Sequence, residues 1–353
     1  MRVVFMRNDY EASLAKLIER YRRQIVLKEI GLEKQVKLSS SRIVIIGCGA
    51  NGSSIAELLV RAGVGYIRLI DRDFVEEKDL HRVRLYTEKD SYRATPKALA
   101  LAEKLREINS SATIEAVVDN VSGDNVLNYV KDVDLIIDGS DNLELRFLIN
   151  EASVETGIPW IMMGVERWFG MVKFIKPGST ACLRCFMKEP STRTINVCEV
   201  FGVVNIAPAL TTSIGASLVL KYLLGLEVES DLIMVNGLKL TIDKIHVNRL
   251  NDCPVCVKKE YRFLGKPSGD INIYCGVDAI EIKPSKEQFI NLEHAVEKLR
   301  NMNVKRIADN IVFLETSGLK IMLFTDGKMV IYGTIDVEQA KKIYSEIMMK
   351  LMD

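Results

Sequence analysis

Two cysteine pairs, Cys182-x-x-Cys185 and Cys253-x-x-Cys256, carry the most specific chemistry in the chain. Together they can supply four thiolates to one tetrahedral Zn2+, provided the fold spans the 67 residues that separate the pairs. No histidine stands near either pair. The ligand set is therefore all sulfur and closed, which makes the expected site structural rather than catalytic. A second constellation is Gly47-Cys-Gly49-Ala-Asn-Gly52, followed 19 residues later by Asp71. Glycines at these positions permit a tight turn and let phosphate approach a helix N-terminus, while the acid accepts from ribose hydroxyls. The pattern does not choose the nucleotide. A dinucleotide would make a dehydrogenase, and ATP a phosphoryl or nucleotidyl transferase.

A third group is charged. Asp71-Arg-Asp73 leads into Glu76-Glu-Lys-Asp79-Leu-His-Arg82, and Thr95-Pro-Lys97 and Asp138-Gly-Ser-Asp141-Asn142 stand downstream. Singly, each is an ordinary solvated charge. Together they place cations and carboxylates after successive strands, at the edge of a doubly wound sheet where ligands bind. A triphosphate needs that mixture, with Arg and Lys to neutralise it and an Asp to hold Mg2+.

The elements that must position these residues alternate from Ser41 onward. Arg42-Ile-Val-Ile-Ile46, Tyr66-Ile-Arg-Leu-Ile70, Thr113 to Val118 and Val133 to Ile137 read as strands. Helices are expected from about Ser53 to Ala62 and from Thr95 to Ile108. This βαβ rhythm predicts an α/β, Rossmann-like, doubly wound and mostly parallel sheet. Beyond Pro159 the pattern loosens into antiparallel strands over Met171 to Ile175, Leu232 to Val235 and Leu238 to Asn248. The charged, helix-favouring segment Tyr10 to Lys37 precedes the sheet and is free to pack on a partner. Gly265-Lys-Pro-Ser-Gly269 then reads as a linker. Past it, strands near Ala279 to Lys283, Ile311 to Glu315, Lys320 to Phe324 and Met329 to Tyr332, with helices from Lys286 to Met302 and from Asp336, predict a small α+β domain. The expected organisation is thus residues 1–40 as an N-terminal helical segment, 41–265 as a nucleotide-binding domain and 270–353 as the small domain.

Composition bounds the reading. With 353 residues, 48% hydrophobic and 27% charged, the chain has material for two folded domains. Its 48 basic and 47 acidic residues leave a net charge of +1, without the footprint of a nucleic-acid or anionic-membrane binder. Residues 200–220 carry no charge, yet Asn205, Pro208, Thr211, Thr212, Ser213 and Ser217 make them a loop and buried helix rather than a span. Seven cysteines without a signal peptide point to a reducing compartment, the cytoplasm. Cys48 and Cys275 are assigned to packing.

With these residues in view, the chain resembles the superfamily of MoeB, ThiF and the ubiquitin-activating enzymes. The likeness runs from Arg20-Tyr-Arg-Arg23 through the glycine loop, Arg-Ala-Gly-Val-Gly65, Asp71-Arg-Asp73, Leu80-His-Arg82, Pro96-Lys97, Asp138-Gly-Ser-Asp141-Asn142 and both cysteine pairs, to about Cys256. It implies ATP-dependent adenylation of the C-terminal glycine of a ubiquitin-like modifier or sulfur-carrier protein ending in Gly-Gly. It also implies roles: Asp71 on the ribose with Asp73 and Asn142 beside the nucleotide, Arg82 and Lys97 on the phosphates, Asp141 on Mg2+, and Arg23 delivered by the neighbouring subunit of a homodimer. The family usually has Asn where this chain has Asp79. A carboxylate about 4 Å from a phosphate oxygen costs on the order of 4 kcal/mol per charge pair at an effective dielectric near 20, unless it binds metal or pairs with a cation. Asp79 therefore takes a metal or hydrogen-bonding role, or the site is tuned differently. Cys198 matches a cysteine that some relatives use for thioester or persulfide transfer, which would bring in a conjugating enzyme or sulfurtransferase. No cysteine loop in the tail resembles a persulfide donor. Two other readings are weighed: a binding scaffold without catalysis, and an NAD-dependent dehydrogenase, which leaves Arg82, Lys97, Asp141 and the four cysteines unexplained.

Overall fold

In a computed structural model, which describes residues 2–188, 202–266, 271–274, 278–284, 289–308, 310–316 and 318–352, the alternating runs join into one eight-stranded sheet. Cys198 and Cys275 lie outside the described residues. The sheet belongs to the first of two units, Met1–Gly265. Helices α1 (Arg2–Ile25) and α2 (Gly31–Ser40) come first. The parallel half follows as β1 (Arg42–Ile46), α3 (Ala50–Ala62), β2 (Tyr66–Ile70), α4 (Glu88–Tyr92), α5 (Lys97–Ile108), β3 (Thr113–Val117), α6 (Val126–Val130), β4 (Leu135–Asp138), α7 (Leu143–Thr156) and β5 (Trp160–Glu166). The antiparallel half holds β6 (Phe169–Ile175), α8 (Leu183–Phe186), α9 (Ile206–Leu223), β7 (Leu232–Asn236) and β8 (Thr241–Ile245). Strand order is β3-β2-β1-β4-β5-β6-β7-β8, parallel up to β5 and antiparallel beyond.

Ile43 to Ile46 are buried completely or nearly so, as strands covered on both faces require. The direction of winding reverses between β1 and β4, and this opens a crevice at the carboxyl ends of those two strands. The uncharged stretch became α9, the described helix long and apolar enough to cross a bilayer by length and composition. It packs on α3, β5 and β6, and the Thr211 and Thr212 hydroxyls donate to Ala207 O and Pro208 O at 2.6 and 2.7 Å. It is a core helix. The N-terminal helices are tied to the same unit: Arg20 donates to Asn109 Oδ1 (2.6 Å), and Gln24 donates to Gln35 Oε1 (2.7 Å) and Ala62 O (2.9 Å).

The second unit, Lys266–Asp353, contains β9 (Ile271–Tyr274), β10 (Ala279–Ile282), α10 (Leu292–Lys298), β11 (Asn303–Ala308), β12 (Ile311–Thr316), β13 (Leu319–Phe324), β14 (Met329–Tyr332) and α11 (Val337–Met352). Its antiparallel sheet runs β11-β12-β13-β14-β10-β9. Val312, Leu314, Ile321 and Leu323 from the strands bury against Leu292, Ala295, Ala340 and Ile347 from the helices.

Several elements differ from the sequence reading. The helix expected from Ser53 begins at Ala50, so Asn51 and Gly52 lie in its first turn. The one expected from Thr95 begins at Lys97, after Pro96, whose extended backbone (ψ 134°) stands outside the helix. Of the segment Lys286 to Met302 expected to be helical, 286–288 lie outside the described residues and the described part is helical over Leu292–Lys298, capped by Asn291, whose Oδ1 accepts from Glu293 N and His294 N. The sequence pattern marks none of α4, α6, α7, α8, β5, β9 and β11.

Candidate functional site

At the crevice three glycine backbones meet. A Cβ on Gly52 would stand 1.8 Å from Gly47 O, one on Gly139 would stand 2.3 Å from the same oxygen, and one on Gly47 would stand 2.8 Å from Gly139 C. Gly47 also has φ +94°, a conformation that strains any L side chain. The first contact tightens the β1–α3 turn on itself, and the other two let the β1–α3 and β4–α7 loops close on each other. Gly49, by contrast, faces open space, so its missing side chain leaves room for a ligand rather than for protein. Asn51 Oδ1, in the first turn of α3, is buried and has no hydrogen-bond partner among the described residues. An open cradle at a helix N-terminus fits a phosphate, and the unfilled acceptor beside it calls for a donor such as a hydroxyl of the same ligand.

The acids are woven into the backbone. Asp71, at the end of β2, accepts from Cys48 N (2.6 Å) and Asp73 N (2.7 Å). It keeps a rim of solvent contact, but burial, and then the charge of Asp73, push its carboxyl up to about 6 against the opposing pull of Lys97. Burial holds the neighbouring Cys48 thiol well above its ordinary value, so this cysteine packs and does not react. Tyr86 fastens the loop, donating to Cys48 O (2.7 Å) and Lys97 O (3.0 Å).

Asp79 ends a single 3-10 turn, Glu77–Asp79, and is fully buried. Its Oδ2 accepts from Glu76 N (3.1 Å) and lies 3.4 Å from Lys97 Nζ, while its Oδ1 accepts from Arg82 Nη2 (2.9 Å). Arg82 also donates to Lys78 O. Asp79 thus has the hydrogen-bonding role. Lys97 Nζ lies 3.9 Å from Asp73 Oδ2 as well. Burial alone would lower the Lys97 pKa, but the fields of Asp73, Asp71, Asp79 and Asp141 outweigh it and keep the ammonium charged. The predicted set Asp71, Asp73, Asp79, Arg82, Lys97 and Asp141 is therefore brought together.

Asp141 is exposed, on the loop after β4. That loop is braced by buried Asp138, which accepts from Ser140 Oγ and Arg146 Nε, both at 2.6 Å, while Arg146 reaches Met163 O at 2.7 Å. Asn142 caps α7, accepting from Leu145 N (3.0 Å). Arg23 is exposed in the last turn of α1 and, among the described residues, has no hydrogen bond or ion pair to this cluster. Beside the crevice a cavity of about 650 Å³ is lined by His81, Arg167, Trp168 and residues 202–205. Gly139 and Asp138 stand in the Asp138-Gly-Ser-Asp141-Asn142 motif but show their roles only in the fold, and Arg146 and Tyr86 carry no motif. Tyr86 reaches backbone carbonyls at Cys48 and Lys97, and Arg146 ties Asp138 and Ser140 to the carbonyl of Met163, contacts that no short sequence pattern marks.

Both cysteine pairs converge. Sγ separations are 3.8 Å for Cys182–Cys185, 3.7 Å for Cys182–Cys253 and 3.7 Å for Cys185–Cys256, and all four sulfurs lie within 4.8 Å of one another. A tetrahedral zinc with Zn–S near 2.3 Å sets its sulfurs about 3.8 Å apart, so the donor set fits. Backbone N–H groups of Val255 and Cys256 point at Cys253 Sγ, and Arg249 bonds to Cys256 and to Gly178 O (3.0 Å), offsetting thiolate charge. Helix α7 positions both arms. Asn150 accepts from Leu183 N (2.9 Å), and the buried Glu151 accepts from Arg262 N (2.9 Å), Phe263 N and Leu264 N (both 2.8 Å).

Comparison with known proteins agrees with this geometry. The ThiF family model matches residues 21–255. The chain is 34% identical over 329 residues to the sulfur carrier protein ThiS adenylyltransferase of Bacillus subtilis, covering 92% of this chain and 98% of that protein. It is 31% identical over 245 residues to the SAMP-activating enzyme E1 of Haloferax volcanii, covering 69% and 90%. The crystal structure of E. coli MccB with MccA-N7isoASN superposes with a TM-score of 0.60 at 22% identity, over 67% of this chain and 74% of that one, a likeness of fold. A glycine cradle at the switch point, a carboxylate-bound lysine and arginine, a converged four-cysteine cluster and these matches lead to one conclusion: the chain belongs to the ThiF family.

Proposed function

We propose that the chain is an adenylyltransferase that uses ATP to activate the C-terminal glycine carboxylate of a ubiquitin-like or sulfur-carrier protein ending in Gly-Gly. The observation that carries this reading is the placement of Lys97 and Arg82 around one buried carboxylate, beside a phosphate cradle in a ThiF-family chain. Its relatives are named for the same chemistry. The nucleotide's phosphates lie over Gly49 and the first turn of α3, with the ribose at Asp71. A carboxylate oxygen of the carrier attacks the α-phosphorus in line while the bond to the bridging oxygen of the β-phosphate breaks. The acyl-adenylate forms and pyrophosphate leaves. The attacking carboxylate is ionised at neutral pH and needs no general base, so positioning and charge stabilisation by Arg82 and Lys97 supply the rate. Mg2+ held at Asp141 would add charge neutralisation on the phosphates. The cavity beside His81 and Trp168 is the approach for the carrier's tail.

Zn2+ in the four-cysteine cluster is structural in this reading. The working unit is a homodimer in which Arg23 serves the neighbouring site, and the acyl-adenylate either passes to Cys198 as a thioester, AMP leaving, for a conjugating enzyme to take, or is released to an external sulfurtransferase that supplies sulfur. The compartment is the cytoplasm, where thiols stay reduced for metal. The test is exchange of labelled pyrophosphate into ATP in the presence of carriers ending in Gly-Gly; no exchange with any of them ends the reading. Exchange that survives Cys198→Ala separates adenylation from thiol transfer. If Arg23 acts across a dimer, mixing inactive Arg23→Ala and Lys97→Ala chains restores about a quarter of wild-type sites, whereas action within one chain restores none.

A further inference from the structure

The buried carboxylate of Asp79 faces three donors with two oxygens: Glu76 N–H, the Arg82 guanidinium and the Lys97 ammonium. The two cations are held differently. Arg82 is fixed at 2.9 Å and anchored a second time on Lys78 O. Lys97 stands 3.4 Å from Asp79 and 3.9 Å from Asp73, both longer than the 2.7–2.9 Å typical of a charge-assisted hydrogen bond. An amide could not do the same work here, because its one oxygen would satisfy some of these donors while its NH2 confronted another.

We propose that Asp79 is a positioning residue that fixes Arg82 for the leaving phosphates and keeps Lys97 loosely charge-balanced until a triphosphate takes it over. The inference rests on the reading of this crevice as the ATP site. It has two separable consequences. The negative charge of Asp79 opposes a polyanionic ligand and weakens binding, while its geometry holds Arg82 where charge develops and speeds the chemical step. Removing the charge alone therefore moves affinity and turnover in opposite directions, a split that a residue serving only to build the turn would not produce.

The experiment measures Kd for the Mg2+ complex of α,β-methylene ATP by calorimetry, and kcat for carrier-dependent pyrophosphate exchange, with melting curves to verify folding. Asp79→Asn is expected to tighten analogue binding about tenfold and to lower kcat at least about tenfold. Asp79→Glu keeps the charge and displaces it, so kcat falls without tighter binding; if the Asn variant does not fold, this variant carries the test alone. Unchanged kcat in either folded variant, or weaker analogue binding in Asp79→Asn, overturns the proposal. A wild-type chain that binds no analogue refutes the ATP-site reading and the inference with it, whereas wild-type binding that Asp79→Asn leaves unchanged refutes the inference alone.

Discussion

The first unit buries two polar clusters, and they are built in opposite ways. In the cysteine cluster the measured sulfur neighbours lie 3.7 to 3.8 Å apart, near the separation a tetrahedral ion demands, and the donors are of one kind. In the aspartate cluster, distances run from 2.6 Å for Cys48 N to Asp71 up to 3.9 Å for Lys97 to Asp73, and the charges are mixed. Even spacing and a closed donor set suit a part that only has to hold the fold. Uneven spacing, with one cation loosely held and two acceptors, Asn51 Oδ1 and Asp73 Oδ1, without a hydrogen bond among the described residues, suits a part that exchanges partners with a ligand. Helix α7 joins the two: Asp141 and Asn142 stand at its start, and Asn150 and Glu151 hold the cysteine arms.

Breaking the even cluster should have the largest effect. Structural zinc contributes about 10–16 kcal/mol of apparent binding energy in small domains, so chelation or Cys253→Ser should abolish cooperative unfolding of the first unit, read by calorimetry alongside metal content. Retained zinc in the Ser variant would contradict the four-thiolate assignment. Next come the glycines. Gly52→Ala drives a methyl into Gly47 O and should cost about 3 kcal/mol or more in urea denaturation, whereas Gly49→Ala meets open space and should leave the urea midpoint unchanged while weakening nucleotide binding. Equal destabilisation by both would erase the distinction between packing and ligand glycines.

Glu151→Gln tests the link between the clusters. One amide oxygen cannot accept from three backbone N–H groups, and a loss of about 1–3 kcal/mol is expected together with faster zinc release to a chromogenic chelator. A stability loss with unchanged release would confine Glu151 to packing. The smallest effect concerns pH. As pH falls through about 6, Asp71 takes up a proton, loses its charge and becomes a weaker acceptor, so nucleotide affinity should drop, by up to about tenfold per unit below pH 6, measured by calorimetry from pH 7.5 to 5.0. Fold stability should respond in the opposite sense. The folded pKa lies above the ordinary 3.8, so between 3.8 and about 6 the folded state binds the extra proton, and Asp71's contribution is present at low pH and lost as pH rises through 6. Parallel loss of stability and affinity on acidification would assign the effect to other groups.

Much of the candidate site was legible because its signals are local. A glycine run after an apolar strand, an acid at the end of the next strand and two Cys-x-x-Cys pairs each fall within a few residues, and Asp71, Arg82 and Lys97 all stand in the one stretch between β2 and β3. What was not legible depends on distant backbone. Asn150 and Glu151 are a buried amide and a buried carboxylate whose partners are Leu183 and Arg262 to Leu264, and Arg146 joins Asp138 and Ser140 to distant Met163, so no short pattern marks α7. The parallel strand β5 pairs with β4 over just Ile136↔Trp160 and Ile137↔Ile161, and β11 follows a helix shorter than its pattern suggested.

By itself, then, the sequence determined the βαβ class, the cradle glycines, the four metal-competent thiols and the acids and cations of the crevice, because period, turn chemistry and ligand spacing act within short stretches of chain. Only the tertiary structure decided that Asp79 is a hub between two cations rather than a charge turned toward phosphate, that Gly52 serves packing while Gly49 leaves room, and that one helix braces both clusters. Those outcomes depend on which donors burial brings within about 3 Å, and a hydrogen bond or a steric contact is set by distance in space rather than along the chain.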